Sequence, residues 1–106
     1  MVKCILLSEK LGDVIEIETA LGQDIYSLLK GTGTFIGQWP EIEVVIMKCN
    51  KSVQELQLNQ NILPFPFDKE ETLGPILLVK MDEDAEPRDF TLQDWEAAKL
   101  SLPGPP

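Results

Sequence analysis

Histidine is absent from the 106 residues. Catalytic triads and Cys-His dyads both need a base that titrates near neutrality, so its absence removes them and much of hydrolase chemistry with them. Cysteine is nearly absent as well. Cys4 and Cys49 alone cannot build a disulfide framework, and without imidazole they cannot complete a four-ligand zinc site. Both stand in apolar, strand-like runs, where buried free thiols are expected. Positive charge is scarce and dispersed: nine Lys and Arg oppose 18 Asp and Glu, a formal net charge of −9. Lys3, Lys10, Lys30, Lys48, Lys51, Lys69, Lys80, Arg88 and Lys99 occur singly. A protein that reads phosphate backbones needs a basic stripe to release counterions, so direct nucleic-acid binding is not expected. An anionic membrane surface is disfavoured on the same ground. Long apolar runs are missing too. The stretch Met1-Val2-Lys3-Cys4-Ile5-Leu6-Leu7 is shorter than a signal-peptide core, and nothing approaches the ~20 apolar residues of a membrane-spanning helix. A cytoplasmic location is expected, which makes the sequon Asn50-Lys51-Ser52 accidental.

What is present suffices for one domain. The chain is 43% hydrophobic and 25% charged, enough to bury a core and outside the disordered class. Residues 2–8 are apolar and β-branched, and Val14-Ile15-Glu16-Ile17-Glu18 alternates with period two, which reads as a hairpin. Leu21, Ile25, Leu28 and Leu29 form one helical stripe, with Thr19 expected as N-cap and Gly31 as the left-handed stop. Gly31-Thr32-Gly33-Thr34-Phe35-Ile36-Gly37 is a flexible connection by composition, bringing Phe35 and Trp39 onto the core. Residues 42–49 and 76–81 are strands, the first apolar on both faces as a covered central strand requires, and residues 53–58 are a short edge strand at best. Pro64 and Pro66 force the Leu63-Pro64-Phe65-Pro66-Phe67 segment to be irregular. Thr91 with Asp94 forms a capping box, and Phe90 with Trp95 a hydrophobic staple, at the start of a last helix that Pro103 ends. The order β-β-α-β-(β)-β-α predicts an α+β fold: a mixed sheet of four to five strands with two helices, its ββαβ opening resembling half of a β-grasp. Residues 1–102 are expected as a single globular domain and 103–106 as a disordered tail.

No cofactor or metal ligand is expected. The glycine-containing stretch lacks the Gly-Lys-Ser/Thr of a P-loop and follows a helix, whereas a phosphate cradle aims the amides of a following helix. Counting Asp82 as the first position of a calcium loop puts Pro87 where the sharp turn needs glycine and Gln93 where a bidentate Glu belongs. The pairs Glu16/Glu18 and Glu41/Glu43 read as exposed strand charges, so no acid/base pair can be named.

Charge is unevenly distributed. Residues 68–96 hold ten acids against Lys69, Lys80 and Arg88, which leaves about seven of the nine net negative charges in this last third. Asp82, Glu83, Asp84 and Glu86 are therefore candidate contacts for a basic partner; Phe65 and Phe67, on a rigid loop, are candidate apolar contacts, with core packing of their rings the stronger expectation. The leading expectation is a non-catalytic protein-interaction module. The alternatives are an acidic nucleic-acid mimic that inhibits a DNA-processing enzyme, and a small enzyme that works with carboxylates alone. An open sheet edge would also allow a homodimer.

Several pieces together resemble a family of small uncharacterised proteins, a domain of unknown function found in phages, mobile elements and their hosts. They are Ile5-Leu6-Leu7, Ile15-Glu16-Ile17, Leu28-Leu29-Lys30-Gly31, Leu58-Asn59-Gln60-Asn61, Gly74-Pro75-Ile76-Leu77-Leu78-Val79 and Phe90-Thr91-Leu92-Gln93-Asp94. The resemblance covers nearly the whole chain. It implies a non-catalytic accessory role and no particular site residues.

Overall fold

A computed structural model describes residues 1–52, 54–102 and 104. Strands β1 (Val2–Leu7) and β2 (Val14–Thr19) form the expected hairpin, in register from Val2 opposite Thr19 to Leu7 opposite Val14. Helix α1 (Leu21–Leu29) follows, and its apolar stripe of Leu21, Ile25, Leu28 and Leu29 packs onto one face of the sheet.

The ends of α1 differ from expectation. Its N-cap is Ala20, while Thr19 is buried and donates its hydroxyl to Asp24 at 2.8 Å. The Ala20 N–H donates to the same carboxylate oxygen at 2.9 Å. The helix's own acid thus reaches back to the N-cap amide, while Ala20 has no side-chain oxygen to accept from the first turn. At the other end Lys30, not Gly31, takes the left-handed conformation, with φ 62°. Gly31 is required for space, since a Cβ there would meet the Lys51 carbonyl of the neighbouring strand.

The largest departure lies in residues 31–39, where glycine content suggests a flexible connection and the chain instead forms strand β3 (Gly31–Trp39). Its glycines serve close packing. A Cβ on Gly33 would lie 2.9 Å from Ile25 and 3.0 Å from Leu29 of α1, and one on Gly37 would run into the Phe67 ring. Trp39 does reach the core, but Phe35 stands outside it, 56% exposed. A short 3-10 turn, Pro40–Ile42, leads into β4 (Val44–Ser52), which pairs antiparallel with β3. Ile36 is the extra residue between the pairs Phe35–Met47 and Gly37–Ile46, a bulge.

Strand β5 (Ile76–Met81) is the centre of the sheet. The order is β2-β1-β5-β4-β3, and the two-residue strand β6 (Pro87–Arg88) borders β5 opposite Lys80 and Met81. Every pairing is antiparallel, which corrects the expected mixed sheet and raises the strand count to five long strands and one short. The fold is α+β. β1 lies between β2 and β5 and β3 at the far edge, but β1 and β5 pair antiparallel, where a β-grasp joins its first and last strands in parallel. The weak strand expected over residues 53–58 reduces to a single bridge between Leu58 and Leu73, with Val53 outside the described residues.

β5 carries both hydrophobic layers, as a fully covered strand must. Ile76 and Leu78 point into one core with Ile5, Leu7, Val44, Ile46, Trp39, Phe90 and Trp95. Leu77 and Val79 point into the other with Cys4, Leu29 and Cys49. Helix α2 (Leu92–Ser101) covers the first core, opposite α1. Its N-terminus matches expectation: the Thr91 hydroxyl accepts from the Asp94 N–H, the Asp94 carboxylate accepts from the Thr91 N–H, and Phe90 meets Trp95 edge-on at 6.1 Å. Pro103 and the rest of the expected tail, Gly104 apart, lie outside the described residues.

Two asparagines tie the irregular segment between β4 and β5 to the hairpin. Asn59 is buried and its amide donates to the Leu7 carbonyl at 3.0 Å and the Gly74 carbonyl at 2.9 Å, while its oxygen accepts from the Asn61 N–H. Asn61 donates to the Ser8 and Lys10 carbonyls and accepts from Gly12 N–H. Side-chain amides can replace a sheet ladder here because each carries donors and an acceptor of backbone type.

Candidate functional site

The acidic turn between β5 and β6 is built from inside by its first residue. One Asp82 carboxylate oxygen accepts from the Asp84 N–H at 2.9 Å and the Glu86 N–H at 3.0 Å. The other accepts from the Arg88 guanidinium, at 2.8 Å from Nε and 2.7 Å from the terminal nitrogen. Backbone bonds from Ala85 to Asp82 and from Asp82 to Glu86 close the loop, and Ala85 takes the left-handed conformation with φ 60°. The Glu86 amide, the Arg88 guanidinium and the Asp84 amide hold the Asp82 carboxyl below its usual range. Asp24 is lowered by the Thr19 hydroxyl and the Ala20 amide, and Asp94 by the Thr91 amide and hydroxyl. Protonation breaks these contacts, so their support is complete above the ordinary carboxylate range and is lost as the pH falls through the lowered values.

Asp82 is therefore a structural residue, and the exposed acids of the turn are Glu83, Asp84 and Glu86. This division was partly legible: an Asp that opens a turn commonly accepts from the backbone two residues on. The Arg88 partner came only with β6.

Phe65 and Phe67 both engage Trp39, in different ways. Phe67 is half-buried, packed edge-on against Trp39 at 5.5 Å and seated over Gly37. Phe65 is also half-buried, and its carbonyl accepts from the Trp39 indole at 3.2 Å. The rigid loop thus serves chiefly as a lid over the aromatic cluster. Trp39, Val44, Lys80 and Arg88 stand in one row across β3, β4, β5 and β6, so loop and acidic turn share one end of the sheet.

Among the described residues no three Cys, Asp or Glu side chains gather as a metal site. A cleft of about 370 Å³ beside α2 is lined by Ile42, Lys80, Phe90, Asp94, Ala97, Ala98 and Ser101. Its single carboxylate, Asp94, is already bound in the capping box.

The thiols offer no ready nucleophile in Cys4, which is fully buried and whose pKa burial pushes up to about 11. Native protein treated with iodoacetamide at neutral pH should leave Cys4 unmodified, and urea should expose it. Peptide mass mapping checks this, and rapid labelling of Cys4 in folded protein would contradict the burial described.

An antiparallel sheet with a helix on each face, carrying a braced acidic turn at one end, defines a small α+β domain. Residues 5–98 match the family of unknown function DUF5880, and the chain belongs to it. No curated protein and no solved structure matches the chain.

Proposed function

We propose that this chain is a non-catalytic, cytoplasmic protein-interaction module whose contact for a basic partner is the turn bearing Glu83, Asp84 and Glu86. The observation that supports the reading is the bracing of that turn. Asp82 and Arg88 hold its backbone, so the three exposed carboxylates are presented in a set geometry before any partner arrives. Preorganised charge binds with less loss of entropy than charge on a loose loop. No helix among the described residues is long and apolar enough to cross a membrane.

Neutralising Asp82 would unmake the turn, so the test leaves it in place. Glu83→Gln, Asp84→Asn and Glu86→Gln, combined, should weaken binding to a recovered partner about tenfold at low salt and flatten its salt dependence. Unchanged affinity with unchanged salt dependence would remove the turn from the interface.

A second reading rests on the excess of acids in residues 68–96. In the phage or mobile-element setting that the sequence resemblance implies, such a surface would imitate a phosphate array and occupy a DNA-processing enzyme. It requires that DNA and this chain compete for the same enzyme.

A further inference from the structure

The two edges of the sheet differ in a way that the proposed function does not use. β2 is charged: it carries Glu16 and Glu18, and Glu16 accepts the Leu92 N–H at 2.8 Å. Edge charges of this kind discourage another strand from pairing. β3, at the opposite edge, is nine residues long and contains no charged residue. Its middle residue, Phe35, is 56% exposed. Its ring forms one wall of a shallow apolar groove of about 360 Å³, lined also by Gly37, Gln38, Val45 and Met81.

The charges flanking β3 are arranged by sign. At its start, exposed Lys51 stands opposite Thr32, and Lys30 immediately precedes the strand, paired with Glu9. Just beyond its end come Glu41 and Glu43, both exposed. A second copy laid antiparallel along this edge sets each lysine end against the other's glutamate end, twice by symmetry. A parallel arrangement would set like against like. In a chain of net charge −9, this neutral edge with opposite ends is where its own copy can approach.

We propose that β3 is the docking edge for a second copy of this chain, joined antiparallel about a two-fold axis near Phe35. The two sheets become continuous. Centred there, residues 31–33 of each copy face residues 37–39 of the other, Phe35 faces its own counterpart, and the Ile36 bulge lies beside the axis, where an interrupted ladder loses least. Each Phe35 ring lies against the groove of the facing copy. The groove reaches Met81, next to the acidic turn, but the dimer is built on β3 and uses none of Glu83, Asp84 and Glu86, so one reading can fail without the other.

Sedimentation equilibrium over a wide concentration range, with hydrogen–deuterium exchange at its two extremes, tests the proposal. The wild type should dimerise, and amides of β3 should gain protection at high concentration while those of β2 do not. Phe35→Lys should raise the dimer Kd at least about tenfold. Lys51→Glu should weaken the dimer at low salt, and Glu41→Lys in the same chain should restore it, a charge-reversal rescue that does not depend on how well Phe35→Lys folds. Ile15→Lys on β2 should change nothing. A chain monomeric at every concentration would overturn the proposal, including one whose β3 edge is taken instead by an extended peptide of another protein. So would a dimer that dissolves with Ile15→Lys and survives Phe35→Lys.

Discussion

Replacing Trp39 with alanine should cost about 4 kcal/mol of folding stability, within the range found for deleting a large aromatic from a core. Trp39 is 1% exposed and is where three separate elements meet. Its ring touches Phe67 of the irregular segment at 5.5 Å and Trp95 of α2 at 5.6 Å, while its own backbone belongs to β3. The substitution leaves a cavity between sheet, helix and loop, and also strips the Phe65 carbonyl of its donor. Trp39→Phe keeps most of the volume and loses only the indole donor, so it should cost roughly 1–2 kcal/mol. Urea denaturation followed by far-ultraviolet circular dichroism separates these values. A loss below about 1 kcal/mol for Trp39→Ala would contradict the placement of this residue at the junction.

Asn59→Ala should be the next most damaging change, at about 3 kcal/mol, because it leaves buried backbone groups unpaired on both sides of the lost side chain. The Leu7 and Gly74 carbonyls lose their donor, and the Asn61 N–H loses its acceptor. Asn59→Asp is close to isosteric but replaces two donors by an acceptor, so it should do no better at neutral pH. Near-neutral behaviour of either variant in the same denaturation assay would show that the segment between β4 and β5 is not held through Asn59.

The parts of this fold that were legible beforehand are those where local chemistry and tertiary packing agree. The hairpin of β1 and β2, the apolar stripe of α1, and the box and staple that begin α2 are all written in residues within one or two turns of each other. β3 was not legible, because its glycines look like freedom when read locally. Their reason lies elsewhere in the chain, in the side chains of Ile25, Leu29 and Phe67 that need the room. The same holds for the α1 N-cap, where Asp24 was available to reach back and Thr19 was drawn inward. The antiparallel order also depended on which strand took the centre. β5 does so by burying alternate residues in two cores, a property that β4 displays almost as strongly in sequence.

The candidate contacts were legible as composition and not as architecture. Four acids in five residues announce a negative turn, but the Arg88 partner that helps spend Asp82 on holding it together, and the Trp39 against which Phe67 packs, come only with the fold. Phe35, expected on the core with Trp39, is instead the exposed middle of an uncharged edge.

The central claim is that the braced acidic turn recognises a protein. Its most direct test is affinity capture from a lysate of the source organism at low and moderate salt, with the Glu83→Gln, Asp84→Asn, Glu86→Gln variant as control and bound proteins identified by mass spectrometry. The account predicts a specific protein with a basic surface, enriched by the wild type, reduced at moderate salt and lost with the variant. If the protein recovered is a nucleic-acid enzyme that DNA displaces, the mimicry reading replaces the general one. Recovery by wild type and variant alike, or of nothing above background from either, would contradict the claim.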